Sequence, residues 1–159
     1  MIRYFSDKED LLLEELNSWL GTPYRHMAGV KNKGTDCIHF VVRVLEKFDA
    51  NQGRNIIIQN YPKDWNIHRG EELLRDEIEK QLYVKKIACR NEKEYLVFSE
   101  EIGNGDIILF KFGRLSGHCG IYFKGQVYQS LNKSGVEKIS YFSKDFLGRV
   151  TTVYKIYKV

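Results

Sequence analysis

The chain has 159 residues, 43% hydrophobic and 29% charged, which is the ordinary globular range and long enough for one domain with a real core. Its formal net charge of +4 suits solubility or an anionic partner such as cell wall, but no basic run of five or more residues is present and nucleic-acid binding is not expected. No run of 18 apolar residues exists to cross a membrane, and the opening MIRYFSDKEDLLLEE lacks the long apolar region of a signal peptide. Synthesis in the cytoplasm is therefore expected, with some other agent carrying or releasing the protein if it acts outside a cell.

Ser6 at an N-cap with Glu9 three residues on predicts a capping box. Leu12, Leu13, Leu16, Trp19 and Leu20 follow on one helical face, and Gly21 is the expected C′ residue. Trp19 reads as a packing residue. A turn-rich loop with Gly21, Pro23, Gly29 and Gly34 then leads to Phe40, Val41, Val44, Leu45 and Phe48, the spacing of a second amphipathic helix. Thr35 or Asp36 can cap it, which puts Cys37 in its first turn. The N–H groups and dipole of that terminus favour negative charge, so a thiol there loses its proton more readily and becomes an effective nucleophile. A lone cysteine is equally well a small buried hydrophobe, so the reading needs a base and an orienter elsewhere.

Asn51, Gln52 and Gly53 break the second helix, and the stretch from about 51 to 104 is less regular. Within it, a short strand is predicted at 55–59, a turn at 61–65 where Pro62 pushes its predecessor out of the helical region, a helix at 70–82, and strands at 83–88 and 95–98. No repeat or low-complexity segment separates it, so residues 1–159 read as a single domain with an insert. From Gly105 the period changes to two. Strands are predicted at 106–112, 117–123, 126–131, 135–141 and 150–159, the last closing the sheet, with a two-residue hairpin turn at Lys124 and Gly125. Helices first and antiparallel strands after make an α+β protein, with the nucleophile at a helix N-terminus packed on the sheet.

His118 begins one of these strands, where its ring can reach a cleft facing a helix N-terminus. With a two-residue turn, residue 123 pairs with 126, 120 with 129 and 118 with 131. His118 and Gln129 then share a face as diagonal neighbours, and a glutamine amide there can fix the imidazole tautomer and aim the other nitrogen at the thiol.

The sequence GTPYR, then Asp36-Cys37, then Gly105-Asp106 with Phe110, then Gly117-His118-Cys119-Gly120-Ile121-Tyr122, resembles the NlpC/P60 family of papain-like cysteine peptidases from Trp19 to about Val136. Residues 61–72, and Tyr24 to Ala28, further resemble its phage-type cell-wall peptidase branch. The resemblance implies a papain-like fold with Cys37 as nucleophile, His118 as general base and Gln129 as the third polar residue. It implies substrate contacts for Tyr24 and an amine-binding role for Asp36. Peptidoglycan stem peptides, or muropeptides, are the implied substrate, in a phage or prophage setting, and no metal or organic cofactor is required. Ile38 stands where many members have a serine that helps bind the substrate amine, so Ile38 bears on specificity. Cys119 stands where an aliphatic residue is usual. Two further possibilities are an inactive structural or phage-tail assembly protein of the same fold, and a hydrolase or acyltransferase acting on a non-wall amide or ester.

The remaining candidates read as structural. Cys119, next to His118 on a strand, is expected on the opposite sheet face as a core residue, and Cys89 has no partner nearby in sequence. His39 is expected off the cysteine's helix face, and His26 and His68 solvated in loops. Three cysteines, widely spaced and without C-x-x-C, read as reduced thiols with no zinc pattern.

Overall fold

The computed structural model describes residues 1–63, 70–112 and 115–159. The sequence Ile107 to Phe112, apolar at nearly every position, forms β5 (Ile107–Phe112), and Ile107, Ile108, Leu109 and Phe110 are buried on both its faces. It lies in a seven-stranded sheet with β3 (Val84–Arg90), β4 (Leu96–Phe98), β6 (Leu115–Phe123), β7 (Gln126–Leu131), β8 (Gly135–Ser140) and β9 (Val150–Ile156). The order is β4-β3-β9-β5-β6-β7-β8, every pair antiparallel. With helices on this sheet the chain is α+β, as expected.

Alternation along the strands sends side chains to two clusters. Ile107, Leu109, Cys119, Ile121 and Tyr128 pack with α1 (Glu9–Ser18) and α2 (Cys37–Lys47). On the other side Ile108, Phe110, Tyr122, Val127 and Val153 pack with Phe146 of the short α4 (Lys144–Leu147), whose N-cap Ser143 accepts from Phe146 N–H. The helix α3 (Gly70–Gln81) rests on β6.

The structure corrects several sequence expectations. Ser6 does not cap α1: the helix begins at Glu9 after Lys8, with no side-chain cap, because residues 3–8 are drawn into tight turns. Residues 55–59 form no strand, since Ile57 N–H and C=O bond the side chain of Gln81 instead of a neighbouring strand. The strand β9 does not close the sheet at an edge. It lies between β3 and β5, which its burial on both faces requires. A small hairpin, β1 (Gly29–Val30) with β2 (Gly34–Thr35), and α4 were not anticipated. His26 is not solvated: its Nε2 lies 2.9 Å from Tyr61 O and its ring packs edge-on against Tyr61. The predicted turn at 61–65 lies partly, and His68 wholly, outside the described residues.

The two-residue turn at Lys124 and Gly125 is present, with Phe123 paired to Gln126, Tyr122 to Val127 and Ile121 to Tyr128. That register puts His118 and Gln129 on one face, as parity demands. Ladder pairing between β6 and β7 runs as far as Ile121 and Tyr128, and beyond it Gly120 still lies against β7, where an added Cβ would be 2.7 Å from Tyr128 O and 3.5 Å from Gln129 Cβ.

The Gly105-Asp106 pair does structural work. Arg3 grips Asp106 in a two-pronged ion pair, Nε to Oδ1 and Nη2 to Oδ2, each 2.8 Å, and Gly103 N–H donates to the same carboxylate at 2.8 Å. The grip fastens the N-terminal residues to the sheet, where Arg3 bridges to Tyr157.

Candidate active site

The site is assembled at the start of α2. Asp36 is its N-cap: it is extended, at φ −95 and ψ 179, and its Oδ1 accepts the His39 N–H at 2.8 Å. Cys37 is therefore the first helical residue, where amide groups have no partner within the helix and the dipole is positive. Three tethers fix this entry. Thr35 N–H donates to Pro23 O at 2.9 Å, Ser130 Oγ of β7 donates to Thr35 O at 2.8 Å, and Asp36 N–H donates to Ala28 O at 3.1 Å. The β1 strand crosses close above α2: a Cβ on Gly29 would lie 2.9 Å from His39 Cβ, so only glycine fits there.

Two neighbours on β6 converge on the Cys37 thiol. His118 stands close enough to favour its thiolate, the imidazole ring stacked on Phe110 with centroids 5.9 Å apart. The β5–β6 and β5–β9 registers both shift beside Phe110, opposite His118, the kind of irregularity that re-aims a side chain at a strand end. Cys119 is the second neighbour. It faces α2 as parity predicts, but that face is the nucleophile's own, so Cys119 is not remote from the site. Its Sγ donates to Cys37 O at 3.5 Å, which brings the two buried thiols together. The Cys119 hydrogen bond, opposed by burial and assisted by His118, holds the Cys37 thiol well below the ordinary range. The same contact and burial push the Cys119 thiol up.

A second cluster surrounds Asp36. His39 Nδ1 lies 2.8 Å from Oδ1, while Met27 N–H, at 2.8 Å, and the Tyr61 hydroxyl both donate to Oδ2. Met27 has φ 59, a left-handed conformation uncommon outside glycine, and donates this amide to the carboxylate. Burial opposes ionisation of Asp36, but the bonds from His39 and Tyr61 outweigh it and hold the carboxyl below its usual value. Tyr24, bridged to Thr35 through backbone, stands close enough that burial and the negative charges of Cys37 and Asp36 push its phenol up to about 12.

Two candidates are placed differently from these. Gln129 is buried on the face it shares with His118, and neither its Oε1 nor its Nε2 has a hydrogen-bond partner among the described residues. Ile38 lines an apolar cavity of about 320 Å³ with Val41, Leu45, Leu74, Ile78 and Cys119.

The sequence pattern of the NlpC/P60 family matches residues 21–155. The chain belongs to the NlpC/P60 family. Among solved structures it is similar to an NlpC/P60 family protein from Bacillus cereus ATCC 10987, at 20% identity and TM-score 0.57, covering 93% of this chain and 40% of that one. It is also similar to a protein of Staphylococcus aureus subsp. aureus Mu50 described as similar to lipoprotein, NLP/P60 family, at 13% identity and TM-score 0.59, covering 99% of this chain and 44% of that one. The NlpC/P60 domain of the peptidoglycan hydrolase SagA matches at 15% identity and TM-score 0.55, over 92% of this chain and 97% of that one. The chain thus spans less than half the length of the first two. No curated protein matches it.

Within this NlpC/P60 chain, sequence reasoning missed His39, Tyr61 and Cys119 as members of the site. His39 had a signal, because the third residue after an N-cap aspartate offers its amide to that side chain and its ring can follow. Tyr61, far along the chain in an irregular stretch, had none beyond the extended backbone that Pro62 imposes. Among the described residues no group of three or more His, Cys, Asp or Glu side chains could hold a metal ion, and no helix is long and apolar enough to cross a membrane.

Proposed function

We propose that this protein is a cysteine hydrolase that cuts amide bonds in peptidoglycan stem peptides. The observation that carries the reading is the contact of Cys37, at the N-terminus of α2, with His118. In this reading the Cys37 thiolate attacks the scissile carbonyl carbon, and the backbone N–H of Cys37 helps stabilise the oxyanion. The leaving amine takes its proton from His118, which then draws a proton from water to release the acyl group. Gln129 orients the ring from the face it shares with His118, where its buried amide has no other partner among the described residues. Tyr24 borders the bound peptide. The peptidoglycan substrate draws on the family and on the SagA likeness, and a phage or prophage lytic role is the setting that suits the resemblance of residues 61–72.

Mass spectrometry of muropeptides incubated with wild type and Cys37→Ala tests this. New peptide termini with wild type alone are expected, and equal products from both proteins would refute it.

The cavity beside Ile38 and Cys119 favours a second reading, hydrolysis or acyl transfer on a non-wall amide or ester that carries an apolar group. Turnover of acyl esters in the absence of turnover on muropeptides would select it.

A further inference from the structure

Cys37 and Cys119 are both free and both buried, and Cys119 Sγ lies 3.5 Å from the backbone oxygen of Cys37. Cys89 is exposed on β3, separated from β6 in the sheet by β9 and β5. We propose that Cys37 and Cys119 are a modification site, closing to a reversible disulfide when the protein meets a peroxide. The inference rests on the nucleophilic thiolate of the proposed function but not on its substrate.

The two sulfurs have unequal parts. Cys37 is the thiolate and therefore the one that peroxide oxidises. Its sulfur attacks one oxygen of hydrogen peroxide, the O–O bond breaks, and hydroxide leaves. Cys37 is now a sulfenic acid, oxidised by two electrons, and the peroxide has been reduced by two. This step also removes the negative charge of Cys37, which together with burial keeps Cys119 protonated. Cys119 then loses its proton, attacks the Cys37 sulfur and forms the S–S bond. The sulfenic oxygen leaves with that proton and one more as water. A dithiol reverses the change, taking up the two electrons and returning both thiols. Without a resolving thiol, a sulfenic acid continues to the irreversible sulfinic and sulfonic acids. Cys119 therefore protects the nucleophile while switching it off.

The test treats the reduced full chain with hydrogen peroxide, blocks remaining thiols, and maps peptides without reduction. Wild type should give a cross-linked peptide pair holding Cys37 and Cys119, lost on treatment with dithiothreitol. Cys119→Ser, with Cys119→Ala as a second variant, should instead carry sulfinic or sulfonic acid at Cys37 that dithiothreitol does not remove. Over-oxidation of Cys37 in wild type with no cross-link, or a link to Cys89, would overturn the proposal, and the wild-type readout needs no variant to fold. A cross-link in a protein that leaves muropeptides intact would sustain the disulfide and sink the proposed substrate. Cleavage of muropeptides by a protein whose Cys37 over-oxidises unlinked would do the reverse.

Discussion

His39 Nδ1 lies 2.8 Å from the Asp36 oxygen that also accepts the His39 backbone N–H at 2.8 Å, so one residue occupies that oxygen twice. Met27 and Tyr61 occupy the other. A carboxylate has about four acceptor positions, and here four internal donors hold them. An incoming ammonium group must displace one, and Ile38 offers no hydroxyl to compensate. Muropeptides with a free N-terminal amine should therefore be cleaved no more than about tenfold faster than N-acetylated ones. Competition kinetics on matched pairs measures this, and a preference beyond about a hundredfold would mean that the cluster opens for the amine.

The same carboxylate links the site to acid stability. Its folded-state pKa is depressed below the unfolded value, so the stability it contributes is present above the unfolded pKa and is lost as pH falls through the folded one. Denaturant titrations of wild type should show a loss of stability from about pH 4 downward that Asp36→Asn lacks. Parallel pH profiles for the two proteins would show that Asp36 has no such part.

Thiol reactivity reports the Cys37 environment without any substrate. At pH 6 an ordinary thiol, with pKa about 8.5, is almost wholly protonated. The depressed Cys37 pKa means that its thiolate persists there, while Cys119 is held protonated. Brief iodoacetamide labelling at pH 6 should modify Cys37 at least about tenfold faster than Cys89, although Cys89 is the exposed one. His118→Ala should slow the labelling of Cys37 and move its pH dependence upward. Equal labelling of the two cysteines would refute the reading.

Gln129→Ala should lower kcat by about tenfold or more and change KM little, because an orienter acts in the transition state. His118→Ala should lose more. Wild-type kcat in Gln129→Ala would pass the orienting role to another group.

Arg3→Ala should destabilise the fold by about 3 kcal/mol, because it strands a buried carboxylate. Even with Arg3 in place, burial pushes the Asp106 carboxyl up, so desolvation outweighs the ion pair there. Arg3→Ala with Asp106→Ala should recover part of the loss in thermal unfolding, whereas additive losses would show the two residues to be independent.

The α+β class and most strands were legible because the period of the apolar residues changes at Gly105 and each turn carries its own chemistry. Cys37 was legible at the start of α2 because a helix cap leaves a local mark, whereas His118, read as the first residue of its strand, lies within β6, which begins at Leu115. The role of Cys119 was not legible. Alternation along β6 gives its face correctly, but which face looks onto the start of α2 depends on how helix and sheet pack. Tyr61 was hidden for a related reason: its bond to Asp36 spans residues that share no regular element. The central place of β9 was also out of reach, since a run of β-branched and aromatic residues suits several positions in a sheet equally well.

That central place has a consequence for how the molecule comes into being. β9 joins β3 on one side and β5 on the other, and without it the sheet falls into a two-stranded and a four-stranded piece. During synthesis Cys37 and His118 both leave the ribosome before Val150 does, so both reactive groups exist while the two pieces are still unjoined. Pairing β9 with β3, where Val84 meets Ile156 and Cys89 meets Thr152, is a long-range closure of the kind that makes folding slow. Nascent chains halted short of Val150 should therefore bind chaperones and show no thiol activation, which would confine the reactive cysteine to completed molecules.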